Sequence, residues 1–180
     1  MPTSNPLFRV AVALLIGAGL AQTAAAAQVC NPGLSPVRPD NQYRISGDGK
    51  EVTDLATGLI WRRCLAGMSW DADQNTCTGT ASTMTYGGAL AYAAAEGGGW
   101  RLPNIKELLT LVELACERPA INLTAFPGTP MYPTASYALS SSQHADSNGD
   151  AWRVDFNAGV DSGTTKTARN PVRLVRAPAP

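Results

Sequence analysis

The chain has 180 residues, of which 44% are hydrophobic and 16% are charged, and these proportions are typical of a single globular domain and argue against disorder. Fourteen basic residues balance fourteen acidic ones, which argues against a nucleic-acid partner because such proteins carry a basic surface. The single histidine, His144, argues against a histidine-based metal centre.

The first 27 residues have the three regions of a secretory signal peptide. Arg9 supplies the positive charge, residues 10–21 form an apolar stretch, and the alanines at 25–27 offer a cleavage site. The apolar stretch is shorter than the roughly twenty residues that a transmembrane helix needs, so we expect no transmembrane segment. The sequence therefore predicts export to the periplasm, the medium or the cell surface, with Gln28 as the first mature residue.

All four cysteines lie in the mature part of the chain. In an oxidising compartment an even number of cysteines favours disulfides over metal binding or redox catalysis, and no C-x-x-C pair is present. Three pairings are possible in principle. Cys64 and Cys77 bracket a short polar loop that a local disulfide would close, which leaves Cys30 to bond with Cys116. We predict these two disulfides, the second of which ties an N-terminal arm to the domain.

The predicted elements begin with this arm. Residues 28–40 are rich in proline and are expected to be extended. A hairpin around an Asp-Gly turn is predicted over residues 43–54, followed by a short buried strand over 59–61. The alanine-rich residues 86–96 predict a helix, which stops at three consecutive glycines.

The strongest helix signal follows Pro103. Asn104 can cap the first free backbone N–H groups, and Glu107 lies three residues further on, as in a capping box. A stripe of apolar residues at helical spacing then predicts that this helix continues towards Pro119. The stripe consists of Ile105, Leu108, Leu109, Val112 and Ala115.

Three strands are predicted in the last part of the chain, over residues 137–142, 152–157 and 171–176. In the second of these, apolar residues alternate with polar ones, which is typical of a strand with one buried face. A hairpin, two helices and a terminal antiparallel sheet together predict an α+β fold, with one domain over residues 41–177.

Five segments resemble, in order, the motifs of one protein family. They are VTDLATGLIW at 52–61, WRLPNIKEL at 100–108, PAIN at 119–122, AWRVDFNAG at 151–159 and VRLVR at 172–176. The family is that of the C-terminal domain of the Legionella collagen-like adhesin, or the Lcl C-terminal domain family. The resemblance covers the chain from about Cys30 to Arg176 and implies a single domain related to C-type lectin-like domains. It also implies a surface module, since the named adhesin binds sulfated polysaccharides.

Two groups of residues are candidates for ligand contacts. Lys166, Arg169, Arg173 and Arg176 follow the last acidic residue of the chain, and such cations can bind sulfated or carboxylated glycans. The alternative is an edge strand that its cations protect from aggregation. Trp70, in the cysteine loop, is the candidate for an exposed aromatic contact, whereas the other three tryptophans are expected in the core.

The predicted function is that of an exported, non-catalytic interaction module, without a cofactor, that binds polysaccharide or a surface protein. One alternative is an enzyme, because the Arg-Leu-Pro segment is similar to that of formylglycine-generating enzymes, whose chemistry needs a reactive cysteine pair. A second is a structural subunit of a surface assembly. The polar loops at 71–75 and 146–150 lack the glycine of an EF-hand, which leaves only a calcium site of another type open.

Overall fold

The computed structural model describes Met1 and residues 27–131 and 136–178 of the chain. Apart from its two end residues, the predicted signal peptide lies outside these ranges. The described residues form a mixed domain of two helices, small antiparallel sheets and two disulfides, in agreement with the predicted α+β class.

The helices are α1 (Tyr86–Glu96) and α2 (Ile105–Leu109). The strands, in chain order, are β1 (Val29–Cys30), β2 (Tyr43–Ile45), β3 (Glu51–Asp54), β4 (Ile60–Arg62), β5 (Ser69–Asp71), β6 (Thr76–Thr78), β7 (Thr83–Met84), β8 (Cys116–Glu117), β9 (Tyr137–His144), β10 (Ser147–Asp155), β11 (Val160–Thr165), β12 (Asn170–Pro171) and β13 (Val175–Arg176). They pair as a four-stranded sheet in the order β13-β4-β3-β2, a three-stranded sheet in the order β11-β10-β9, and the pairs β1-β8, β12-β7 and β5-β6.

The four-stranded sheet contains the predicted hairpin. β2 and β3 pair antiparallel around the expected turn, and β4 adds to β3 so that Trp61 lies opposite Val52. Both side chains are fully buried and pack with Phe126, Phe156 and Ile121 in the larger of two core clusters. The expectation of core tryptophans is therefore confirmed for Trp61 and, in the second cluster, for Trp100, whereas Trp152 is only half-buried and belongs to neither cluster.

Helix α1 has the predicted bounds. Thr85 caps its first turn by accepting a hydrogen bond from the Gly88 N–H, and Gly97 ends it with a positive φ of 64°. One face of the helix, at Ala89 and Ala93, is buried in the second core cluster. That cluster also contains Trp100, Leu102, Leu139, Val172 and Leu174.

Helix α2 has the predicted capping box but is shorter than predicted. The Asn104 side chain accepts from the Glu107 N–H at 2.9 Å, and the Glu107 carboxylate accepts from the Asn104 N–H at 2.8 Å. The helix ends at Leu109 because the chain beyond it makes extended-chain contacts, first a bridge between Val112 and Ile121 and then strand β8. The residues of the apolar stripe beyond Leu109, Val112 and Ala115, are still buried. Their spacing therefore predicted burial correctly, although the chain is not helical there.

The two disulfides join the cysteines in the pairing that loop length predicted. Cys64 and Cys77 are 13 residues apart and close the loop that contains the β5-β6 hairpin. Cys30 and Cys116 are 86 residues apart, and they also face each other across the β1-β8 pair.

The N-terminal arm has a second attachment, at the buried side chain of Glu113. Its carboxylate accepts hydrogen bonds from the backbone N–H groups of Val37, at 3.1 Å, and Arg38, at 2.7 Å. A third bond comes from the N–H of Ala115. The arm is therefore fixed to the body by a covalent bond and by a buried carboxylate.

From residue 137 onwards, the described residues contain five strands where three were predicted. β9 covers the first predicted strand, and β10 overlaps the second but begins five residues earlier and ends two residues earlier. β11, with the sequence VDSGTT, has no apolar alternation and was not predicted. The predicted strand at 171–176 is divided into β12 and β13 because the residues between them contact another segment. Ala66 and Arg62 donate their backbone N–H groups to the carbonyls of Val172 and Leu174.

Candidate ligand-binding surface

A groove of about 730 Å³ lies between the β7-β12 pair and strands β9 and β10 of the three-stranded sheet. We call it the arginine groove, because Arg153 of β10 and Arg169 line it together with Thr83, Tyr137, Asn170 and Pro171. No acidic side chain lines this groove within the part of the chain that the structure describes. The charged side chains that line the groove, Arg153 and Arg169, are therefore both basic.

The two arginines of the groove bind neutral partners. The guanidinium of Arg153 lies 3.7 Å from the ring centroid of Tyr137 and donates to the side chains of Asn170, at 2.9 Å, and Ser162, at 3.2 Å. Arg169 is exposed and donates to the carbonyl of Thr83. Among the described residues neither guanidinium forms an ion pair with a carboxylate. Both charges therefore remain available to an anion.

A second cavity, of about 400 Å³, lies between the cysteine loop and α1. We call it the tryptophan cavity, because Trp70 of β5 lines it opposite Tyr92 of α1, with Lys50, Arg62 and Glu96. Burial, and after it the charge of Glu96, raises the pKa of Tyr92, so its hydroxyl stays protonated. The cavity thus combines two aromatic rings with groups of both charges.

A buried arginine supports the indole of Trp70. Arg63 is only 2% exposed, and its guanidinium lies 4.2 Å from the centroid of the Trp70 ring. It donates to three backbone carbonyls, those of Gly49, at 2.7 Å, and of Thr124 and Ala125, both at 2.9 Å. Burial lowers the pKa of Arg63, and these three acceptors stabilise its charged form. Trp70 is therefore stacked on a side chain that has little freedom to move.

The two cavities adjoin each other. Gly67 lines the tryptophan cavity and Gly79 lines the arginine groove. A Cβ atom placed on Gly79 would lie 3.7 Å from the carbonyl oxygen of Gly67, which is van der Waals contact. The backbone N–H of Ser82 bonds to the carbonyl of Ala66 at 2.7 Å and ties together the segments that carry these two glycines.

The structure separates the predicted ligand residues. Arg169 lines the arginine groove, and Trp70 lines the tryptophan cavity. Lys166 lies outside both linings, and its ammonium group donates to the side chain of Gln143 at 2.9 Å and the carbonyl of Asn148 at 2.6 Å. Arg176 pairs with Glu51 at 2.8 Å.

Arg173, one of the residues predicted to contact a ligand, is buried, which argues against that prediction. The residue is 1% exposed, and its guanidinium donates to the backbone carbonyls of Arg62 and Arg63 and lies 4.7 Å from the Phe126 ring centroid. Burial lowers its pKa to about 9, so it stays charged at neutral pH. Since the residues on either side of it pack against the 62–66 segment, its side chain points into the domain.

Sequence reasoning missed Arg153 and Tyr137. The alternation in the second predicted strand did place Arg153 on the polar face, opposite to the buried Val154 and Phe156. It gave no indication that Arg169 and Tyr137 would lie on the same groove, because these residues are brought together by separate strand pairings.

The remaining candidate chemistry has a structural explanation. His144 stacks on Trp152 with ring centroids 4.3 Å apart, and its Nδ1 accepts the N–H of Asp146. Within the described ranges no three His, Cys, Asp or Glu side chains gather where they could bind a metal. All four cysteines are in disulfides, so the thiol pair on which the formylglycine alternative depends is oxidised.

These features define a small, disulfide-linked α+β domain with an open, partly cationic surface. Residues 50–176 match the family model of the Lcl C-terminal domain, and the chain belongs to this family. Family membership indicates an adhesin-like surface module, and the two disulfides fit an extracellular location. No curated protein and no solved structure matches the chain. Among the described residues, no helix has the length and apolarity needed to cross a membrane.

Proposed function

We propose that the domain is a non-catalytic module that binds anionic polysaccharide at the bacterial surface, and that the arginine groove is the binding site. The observation that carries this proposal is the pair Arg153 and Arg169, which line one groove that has no acidic side chain among its described lining residues. Guanidinium groups bind sulfate and carboxylate through paired, charge-assisted hydrogen bonds. An anionic ligand would meet two such guanidinium groups in the arginine groove.

The other residues of the groove suit a sugar chain. Tyr137 offers an aromatic ring beside the charges, while the side chains of Thr80 and Thr83 offer groups that hydrogen-bond to hydroxyls. Basic and acidic residues are balanced in the whole chain, so the attraction must come from this local surface. A surface protein with an acidic segment is the alternative partner.

We also propose that residues 1–27 are a signal peptide removed on export, that residues 28–40 form the arm, and that residues 41–177 form a domain related to C-type lectin-like domains. The three regions of the N-terminus support cleavage after Ala27. The mass of the intact exported protein tests this, since it should correspond to a chain that begins at Gln28. A product that retains Met1 would contradict it.

Binding to immobilised dextran sulfate, with uncharged dextran as the reference, tests the groove. We expect Arg169→Ala to weaken binding to dextran sulfate about tenfold, which is the loss of one charge-assisted contact. Arg44→Ala is the matched control, because Arg44 is also exposed and lines neither cavity. Affinity should also fall as salt is added, since exposed charges are screened within about 10 Å at 0.1 M.

Three outcomes would contradict the proposal. Equal affinity for dextran and dextran sulfate would exclude recognition of the anionic groups. Equal losses for the Arg169 and Arg44 variants would show a diffuse attraction without a site. Retention of full affinity by Arg169→Ala would place any glycan site elsewhere on the domain.

A further inference from the structure

The tryptophan cavity carries a different chemistry from the arginine groove. Its two aromatic rings come from separate elements, Trp70 from β5 and Tyr92 from α1. Around them stand groups that can bond to hydroxyls, above all Glu96 and Arg62. The faces of sugar rings carry C–H groups that pack on aromatic rings, while their hydroxyls need hydrogen-bond partners at the edge. We infer that the tryptophan cavity is a second subsite, and that one polysaccharide chain occupies it together with the arginine groove. This inference rests on the function proposed above.

The position of Trp70 is fixed before any ligand arrives. Arg63 stacks on the indole, and the backbone of Gly49 lies so close that a Cβ atom there would be 2.5 Å from the indole Nε1. Ligand binding therefore orders no free aromatic side chain, and the entropy cost of stacking a sugar on it is low.

The charges in the tryptophan cavity define what kind of sugar unit fits there. Arg62 lies 3.5 Å from the carboxylates of both Glu51 and Glu96, so its charge is largely neutralised. Lys50 is exposed and has no ion pair among the described residues. Among the residues that the structure describes, the cavity thus offers one cation without an ion pair, whereas the groove offers two. It suits a unit that is stacked and hydroxyl-rich and carries at most one anionic group.

Gly67 of the tryptophan cavity lies beside Gly79 of the arginine groove, so the linings of the two sites meet at this point. A ligand that reaches both sites gains because the second contact becomes intramolecular, and such linkage raises affinity by about 10²–10⁴-fold over either site alone. A short oligosaccharide that occupies only the groove lacks this gain. The affinity of the domain for dextran sulfate should therefore rise steeply with chain length.

The experiment measures binding of size-fractionated dextran sulfate to the mature protein and to two variants, Trp70→Ala and Lys50→Ala. We expect each variant to bind long chains about threefold to tenfold more weakly and to bind the shortest fragments like the parent. Lys106→Ala is the matched control for Lys50→Ala, because Lys106 is an exposed lysine on α2 that lines neither cavity.

Polyphosphate serves as a polyanion without sugar rings. Lys50→Ala should weaken its binding, because that contact is ionic, whereas Trp70→Ala should leave it unchanged. If Trp70→Ala weakens both polymers equally, the sugar-stacking role is wrong. Should Trp70→Ala fail to fold, the comparison of Lys50→Ala with Lys106→Ala tests the second subsite. Only Lys50→Ala should weaken the binding of long chains, and neither variant should change the binding of the shortest fragments.

The outcomes separate this inference from the proposed function. If both cavity variants bind long chains like the parent while Arg169→Ala loses affinity, the groove is the site and the second subsite is refuted. If Arg169→Ala also binds like the parent, the proposed function fails as well. An affinity that does not depend on chain length would likewise overturn the two-site inference.

Discussion

Replacing Gly49 with alanine tests whether the β2-β3 turn fixes Trp70 in place. Gly49 has a φ of +72°, in the left-handed region that alanine adopts only at a cost of about 1–2 kcal/mol. Gly58 has a φ of +73°, and a Cβ atom there would meet nothing within 4 Å. Gly58→Ala therefore measures the backbone cost alone and is the matched control.

The additional cost at Gly49 comes from the indole. The new Cβ atom would lie 2.5 Å from Nε1 and 2.6 Å from Cε2 of Trp70, whereas carbon atoms in contact prefer about 3.5–4.0 Å. The ring must move by about 1 Å, against the guanidinium of Arg63 that stacks on it. Overpacking of this kind costs about 1–3 kcal/mol, so we expect Gly49→Ala to lower the free energy of unfolding by about 2–5 kcal/mol, and Gly58→Ala by about 1–2 kcal/mol.

Urea unfolding followed by far-UV circular dichroism, with the disulfides intact, measures both free energies. Equal destabilisation by the two substitutions would refute the reasoning, because it would mean that the indole moves aside without cost. The displaced ring gives a second readout. Under conditions where both variants are folded, Gly49→Ala should weaken binding to long dextran sulfate chains, and Gly58→Ala should not.

Three further predictions concern buried or paired charges. Glu107→Gln should cost about 1 kcal/mol at neutral pH, measured by urea unfolding, because Glu107 closes the capping box and pairs with Arg101 at 2.6 Å. The hydrogen bond from Arg101 holds the pKa of Glu107 below its ordinary value. The difference in unfolding free energy between parent and variant should therefore be full above the ordinary glutamate pKa and should vanish as the pH falls through the lowered pKa of the folded state. A difference that persists in acid would contradict this explanation. Arg173→Met should lower the free energy of unfolding by about 1–3 kcal/mol for each backbone carbonyl left without a donor. Its glycan affinity per folded molecule should equal that of the parent, and a lower affinity in the fully folded variant would support a ligand role for Arg173. Glu113→Gln should increase proteolysis of the arm within residues 31–40, as seen by mass spectrometry, while the Cys30–Cys116 disulfide retains its N-terminal end; an unchanged cleavage rate would show that the carboxylate is dispensable.

Features that depend on near neighbours in the chain could be predicted from the sequence. The hairpin follows from an Asp-Gly turn between short strands, and the α2 capping box from residues only three positions apart. The bounds of α1 follow from an alanine-rich run that ends at glycines. The Cys64–Cys77 pairing follows from a short loop, after which only one partner remains for Cys30.

The length of α2 shows where such reasoning stops. Helical spacing places Val112 and Ala115 on the same stripe as Leu108, and all three are buried. Val112 nevertheless lies outside the helix, because its backbone forms a β-bridge with Ile121 and the chain must reach the Cys30–Cys116 disulfide. Burial can be read from the spacing of apolar residues, but the backbone geometry depends on partners that are distant in sequence.

The same limit applies to the ligand-binding surface. The order of residues along the chain determined that cations gather in the C-terminal segment and that Arg153 lies on the polar face of a strand. Only the tertiary structure decided that Arg173 is buried against the 62–66 segment while Arg169 meets Arg153 and Tyr137 in one groove. A side chain's type and strand face are properties of the local chain, whereas its exposure depends on which distant segment packs over it, and that follows from the pairing of β12 with β7 and of β13 with β4.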